Sequence, residues 1–129
     1  MKKPKILQLI GEFTSGGAET VVINLINRLK KDNWDVIVSA RKDGPLSVKI
    51  IDKKDIYIID KNRTIDIKYI FKVASLIREH NIELIHTHLF GNDFCGFLAA
   101  KYTSKKIIQT IHGMDSINSR KRILANKNK

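Results

Sequence analysis

The sequence predicts a single α/β domain, a Rossmann-like doubly wound parallel sheet with strand order 3-2-1-4-5. Three features carry this expectation. Five short strand-like runs end at turn residues, stretches with apolar residues three and four apart alternate with them, and the first run passes through a glycine-rich turn directly into the first such stretch. Strands alternating with helices pair in parallel through right-handed crossovers. The first strand should be central, because it reads as a buried run and the chain must cross it to reach the fourth.

Lys5–Ile10 is the first strand, an apolar run that stops at Gly11. After Gly11-Glu-Phe-Thr-Ser-Gly-Gly17, the residues Ala18, Val21, Val22, Leu25, Ile26 and Leu29 mark the sheet-facing side of a helix. Trp34–Ala40 is the second strand. Asp43-Gly-Pro45 marks a turn, Leu46–Ile51 a short helix, and Ile56–Ile59 a third strand ended by the polar turn Asp60–Arg63. The second long helix is expected to use Thr64 as its N-cap with Asp66 in its first turn, to bury Tyr69, Ile70, Val73, Ala74 and Ile77, and to close at Asn81. Glu83–His88 is the fourth strand, Asp93–Tyr102 the third long helix and Lys106–Ile111 the fifth strand, also expected to be buried. The domain is assigned to residues 1–113, and residues 114–129 to a basic polar tail that starts a truncated helix near Ser119–Asn126.

A chain of 129 residues, 43% hydrophobic, suffices for one domain with a real core. Met1–Lys5 is positive like a secretory n-region, but the following run ends at Gly11 without a small-residue cleavage site, so no signal peptide or membrane span is expected. The single Cys95 suits a reducing compartment, and the expected location is the cytoplasm. The net charge of +11 comes from lysines in scattered pairs, Lys2-Lys3, Lys30-Lys31, Lys53-Lys54 and Lys105-Lys106, placed at element ends as solvated flanks. They lack interleaved aromatics, which argues against nucleic acid.

Gly16 and Gly17 fall at a helix N-terminus beyond the carboxyl end of a strand, where free N–H groups and the helix dipole favour an anion such as phosphate. Neither standard phosphate motif fits. Gly11 is followed by Glu12 and Phe13, so the dinucleotide turn is missing, and Gly16 is followed by Gly17 and Ala18, so the P-loop lysine and hydroxyl are absent. The second strand runs into Arg41 where a ribose-binding acid would stand.

Ligands of doubly wound sheets bind beyond the carboxyl ends of the strands. His86 and His88 end the fourth strand and His112 the fifth, so three of four histidines collect on the rim that carries the Gly16-Gly17 turn. His80 is expected only to complement the end of the second helix.

Together these stretches resemble the N-terminal domain of glycosyltransferase family 4, the retaining nucleotide-sugar-dependent enzymes of GT-B fold. The matching pieces are Ile10–Glu19, with Gly-Gly-Ala-Glu opening the first helix; Glu83–Ala100, with Leu-Ile-His-Thr-His before a small-residue helix; and Thr110-Ile-His-Gly113. The resemblance covers nearly the whole chain in the expected order. It implies that the backbone at Gly16 and Gly17 approaches the donor pyrophosphate and that His112 is the catalytic-site residue facing the transferred sugar and acceptor. Glu19, His86 and His88 join the substrate- or phosphate-binding set, the two histidines with the alternative of being buried and hydrogen-bonded to a neighbouring loop.

The implied reaction is hexosyl transfer from a nucleoside diphosphate sugar to a hydroxyl of a glycan or lipid-linked acceptor, as in cell-envelope polysaccharide synthesis, with no metal and no cofactor beyond that co-substrate. Family members carry a second Rossmann-like domain with a Glu-x7-Glu pair. Glutamates here stand only at 12, 19, 79 and 83, so the chain reads as a truncated or excised domain with little activity unless a separate chain completes it.

Two other classes remain open at this point. His86-x-His88 places two imidazoles on one strand face, and His112 with Asp93 or Asp115 would complete a zinc site of a metal-dependent hydrolase. Alternatively, the domain stands alone, pairing with a partner or lying on an anionic membrane surface through Arg120-Lys-Arg-Ile-Leu-Ala125.

Overall fold

A computed structural model describes residues 3–12, 17–63, 65–89 and 94–111. They form β1 (Lys5–Glu12), α1 (Gly17–Lys31), β2 (Asp35–Lys42), β3 (Ile56–Ile58), α2 (Ile67–Glu79), β4 (Leu84–Leu89), α3 (Phe94–Tyr102) and β5 (Lys106–Ile111). The five strands make one sheet in the order β3-β2-β1-β4-β5, every pair parallel, as the sequence predicts. No helix among the described residues is long and apolar enough to cross a membrane.

Strand alternation divides the core in two. Leu7, Leu9, Ile37 and Ile85 face α2 and α3 and pack with Val73, Ile77, Cys95 and Ala99. Ile10, Val36, Val38 and Ala40 face α1 and lie under Val22, Ile23 and Ile26. Gly96 brings α3 close to the sheet. A Cβ there would stand 3.0 Å from Leu9 Cδ1 and 3.1 Å from Thr87 Cγ2, tighter than side chains normally approach.

All three helices return to the sheet by the same turn. Asn33, Asn81 and Ser104 adopt positive φ. The next residue's N–H reaches back five positions, Trp34 to Leu29, Ile82 to Ile77 and Lys105 to Ala100, at 2.9–3.0 Å. This is the Schellman closure, which satisfies carbonyls the helix leaves free and turns the chain into the following strand. Asparagine tolerates the left-handed conformation, so the closure at Asn81 was legible in advance.

Several boundaries differ from expectation. β1 does not stop at Gly11 but runs to Glu12, which pairs with Lys42, because β2 is equally long and the ladder outweighs the preference of glycine for turns. The short helix is a 3-10 turn at Pro45–Lys49. The N-cap of α2 is Asp66 instead of Thr64, which lies outside the described residues. Asp66 has extended backbone, and its carboxylate accepts from Asn62 N–H at 2.9 Å and Tyr69 N–H at 3.1 Å. β5 is not buried throughout: as the sheet edge, beyond the reach of α1, it leaves Ile108 52% exposed.

Lys30 also departs from the solvated role expected of its pair. Its side chain is only 8% exposed, its ammonium lies 2.9 Å from Asp55 Oδ2, and it donates to the Ile51 carbonyl at 2.6 Å. One turn earlier Asn27 donates to the Lys49 carbonyl at 2.7 Å and accepts from Ile51 N–H at 2.9 Å. These two residues tie the β2–β3 connection to α1.

Lys30→Ala is therefore expected to cost roughly 1–3 kcal/mol, since Asp55 and a carbonyl lose their partner. Lys31→Ala, on the exposed side, should stay within about 0.5 kcal/mol, and chemical denaturation of the two variants checks the contrast. The Asp66 carboxyl is held below its usual 3.8 by the Asn62 and then the Tyr69 backbone N–H. A group whose folded value is depressed stabilises above the unfolded value and loses that contribution as pH falls through the folded one. Asp66→Ala should thus lower the melting temperature at neutral pH, with the gap to wild type closing below 3.8.

Candidate functional site

The carboxyl rim of the sheet is built from β1, β4 and the start of α1. Gly17 is the first residue of α1, where the leading N–H groups of a helix have no partner within it. Glu19 stands partly buried in the first turn, where a carboxylate itself complements the helix dipole. Gly16 and His112 lie outside the described residues. β5, which leads to His112, ends at Ile111 in register with Leu89.

His86 and His88 project from the same side of β4, the side that faces α1, with ring centroids 4.2 Å apart and planes tilted by 40°. His88 is almost fully buried, and its Nε2 lies 2.7 Å from Gln8 Oε1 on β1. An amide oxygen only accepts, so His88 Nε2–H donates and the tautomer is set by Gln8. His86 Nε2 is 2.6 Å from Thr110 Oγ1 on β5. The Nε2 atoms of both histidines thus meet side chains of the neighbouring strands. Beside them the Gln8 amide nitrogen is buried with no hydrogen-bond partner, a donor left available at the rim's base.

The other side of the rim carries a cation. A Cβ at Gly11 would lie 3.0 Å from Arg41 Nη2, so the absence of a side chain at Gly11 leaves the space over β1 that the Arg41 guanidinium occupies. Arg41 and Gln8 were not singled out from the sequence. The available signal for Gln8 was an amide inside an otherwise apolar run. For Arg41 it was a cation at the end of the second strand, where the dinucleotide pattern wants an acid.

Among the described residues no group of three His, Cys, Asp or Glu is gathered to hold a metal ion. The imidazole Nε2 atoms of His86 and His88 face Thr110 and Gln8, and the other zinc candidates, Asp93, His112 and Asp115, lie outside the described residues. His80 follows the last turn of α2, with its ring 5.1 Å from that of Tyr57.

The family model described as Glycosyltransferase Family 4 matches residues 15–128. Among solved structures, a glycosyltransferase from Rickettsia africae ESF-5 superposes with a TM-score of 0.69 at 29% identity, covering 88% of this chain and 31% of that one. Acinetobacter baumannii MurG gives 0.64 at 16% identity, over 92% of this chain and 39% of that one. Anabaena Alr3699/HepE, solved in complex with UDP, gives 0.63 at 17%, over 81% and 28%. The last two bear on the fold alone, which is that of the Rossmann-like N-terminal domains of GT-B glycosyltransferases. The chain spans less than two fifths of each of these three relatives, at 31%, 39% and 28%. No curated protein sequence matches.

The Gln8–His88 bond generates a prediction. Gln8→Leu should cost about 1–3 kcal/mol because a buried imidazole N–H loses its acceptor. The double variant Gln8→Leu/His88→Leu should recover part of that loss, since neither partner is then left polar. A double-mutant cycle by urea denaturation reads the coupling, and additive costs would mean that the bond contributes nothing.

Proposed function

The chain belongs to glycosyltransferase family 4, and from that membership we propose that it is the acceptor-side domain of a retaining glycosyltransferase. In this reading a sugar moves from a nucleoside diphosphate sugar to a hydroxyl of a glycan or lipid-linked acceptor. The observation that carries the reading is the family match over residues 15–128, which runs through α1, the β4 histidines and His112. The UDP held by the Anabaena relative supports a nucleotide sugar as donor.

The chemistry assigns work to the rim. The bond between the anomeric carbon and the diphosphate breaks with its electron pair on the departing phosphate oxygen. The acceptor oxygen bonds the same carbon on the same face and gives its proton to that departing phosphate oxygen. Charge therefore grows on the diphosphate, and preorganised N–H groups at Gly16 and Gly17 would stabilise it as it forms. Arg41, on the other side of the rim across the end of β1, would add a cation there. His112 would hydrogen-bond the sugar or acceptor hydroxyl, while His86, oriented by Thr110, would line the acceptor side above the buried His88–Gln8 pair. The scheme needs no catalytic metal.

Since this chain spans 31% of the Rickettsia enzyme, transfer is proposed for the chain completed by a second, nucleotide-binding domain, and the 129 residues alone should show little or no activity. In the chain joined to such a domain, His112→Ala should lower transfer by at least about tenfold, the loss of one well-placed hydrogen bond. Its melting temperature should barely change. Unchanged turnover would remove His112 from the site.

A further inference from the structure

Arg41 is the penultimate residue of β2 and is half-buried. It follows Ile37 by four positions, so strand alternation puts it on the face of the sheet that packs against α2 and α3. Its guanidinium reaches across to β1 over Gly11, between the registered pairs Ile10–Ala40 and Glu12–Lys42. No carboxylate among the described residues pairs with it. Two acids at the ends of the neighbouring turns are engaged elsewhere. Asp43 accepts from Gly44 N–H at 2.8 Å and from Ser47, and Asp66 accepts from Asn62 and Tyr69. A partly covered charge ordinarily has a counter-charge, and this one lies at the strand where the order of the sheet reverses.

The row of side chains beneath Arg41 adds a second observation. Ser39, Leu9 and Thr87 stand side by side on that face of β2, β1 and β4. Ser39 and Thr87 are each 1% exposed, and neither hydroxyl has a hydrogen-bond partner. Buried hydroxyls ordinarily have one. Ser39 is the residue directly below Arg41 on the face, and Gly11 places no side chain above Leu9 between them and β4. A guanidinium offers a forked pair of N–H donors and a serine hydroxyl one more, which is the donor set that a phosphate or carboxylate accepts from.

We propose that Arg41 and Ser39 form an anion subsite on the α2–α3 side of the rim, and that it holds a phosphate or carboxylate carried by the acceptor. The subsite is independent of the transferase reading, whereas the assignment of its anion to the acceptor rests on that reading. There the donor diphosphate belongs to Gly16 and Gly17 at the start of α1, on the opposite face of the sheet, so Arg41 reads a second anionic group.

The test is nuclear magnetic resonance of the 129-residue chain titrated with inorganic phosphate and with acetate, each before and after saturation with pyrophosphate. Phosphate, acetate or both should move the Arg41 side-chain N–H signal and the Ser39 amide, and should still do so with pyrophosphate present. Arg41→Gln should weaken that binding by at least about tenfold, the loss of a charge-assisted forked pair. Gly11→Ala, whose Cβ displaces the end of a flexible side chain and removes no charge, should weaken it in the same direction. Circular dichroism checks the fold of both, and Gly11→Ala carries the test if Arg41→Gln does not fold. Lys31→Gln removes the same charge at the far end of α1 and should bind as wild type does. The proposal is overturned if neither anion moves Arg41 in wild type, if Arg41→Gln binds unchanged, or if Lys31→Gln loses as much. It is equally overturned if pyrophosphate abolishes the response at Arg41, which would make Arg41 part of the diphosphate site. A response at Arg41 without any pyrophosphate response at Gly17 supports the subsite and counts against the transferase reading, and the reverse result does the opposite.

Discussion

β1 is hydrogen-bonded on both sides, to β2 through residues 5–12 and to β4 through residues 6–9, and the positions of the other elements follow from that double pairing. A strand flanked on both sides must bury both of its faces. Leu7 and Leu9 therefore demand α2 and α3, and Ile10 demands α1. Because the chain leaves β1 for β2 on one side and later returns to β4 on the other, strand order reverses at β1. The crevice that results is where open α/β sheets bind ligands. Gln8, at the middle of this strand, reaches His88, and Gly11, near its end, makes room for Arg41. One strand thus sets both the core and the polar groups of the rim.

Much of the fold was legible because it rests on patterns local to the chain. Five strand-like runs and the helical stretches between them define the parallel sheet and its order, and Asn81 marks the closure of the second helix. What was not legible rests on contacts between residues distant in sequence. Lys30 looked like half of a solvated pair, and only the proximity of Asp55 and the Ile51 carbonyl makes it structural. Thr64 and Asp66 are both good caps, and the choice of Asp66 depends on how the preceding turn presents Asn62 N–H. Gln8 is 80 residues from His88, so nothing near it in the chain announced the pair.

The positive charge divides by function in the same way. Lys30 is an internal tie, Arg41 lies across the end of β1, and Lys68, Lys72, Arg78 and Lys101 border exposed aromatic rings. A net charge of +11 alone distinguished none of these uses. Position in the fold does, because a covered ammonium held by a carboxylate and a carbonyl and a cation beside an exposed ring sit in environments that differ in dielectric and in available partners.

The reading of the carboxyl rim as a diphosphate site is tested most directly by nuclear magnetic resonance of the 129-residue chain titrated with pyrophosphate and with UDP. Backbone amide shifts should concentrate at Gly16, Gly17 and the first turn of α1. Shifts confined to the basic residues 120–122, or no shift at Gly17 while other residues respond, would contradict it.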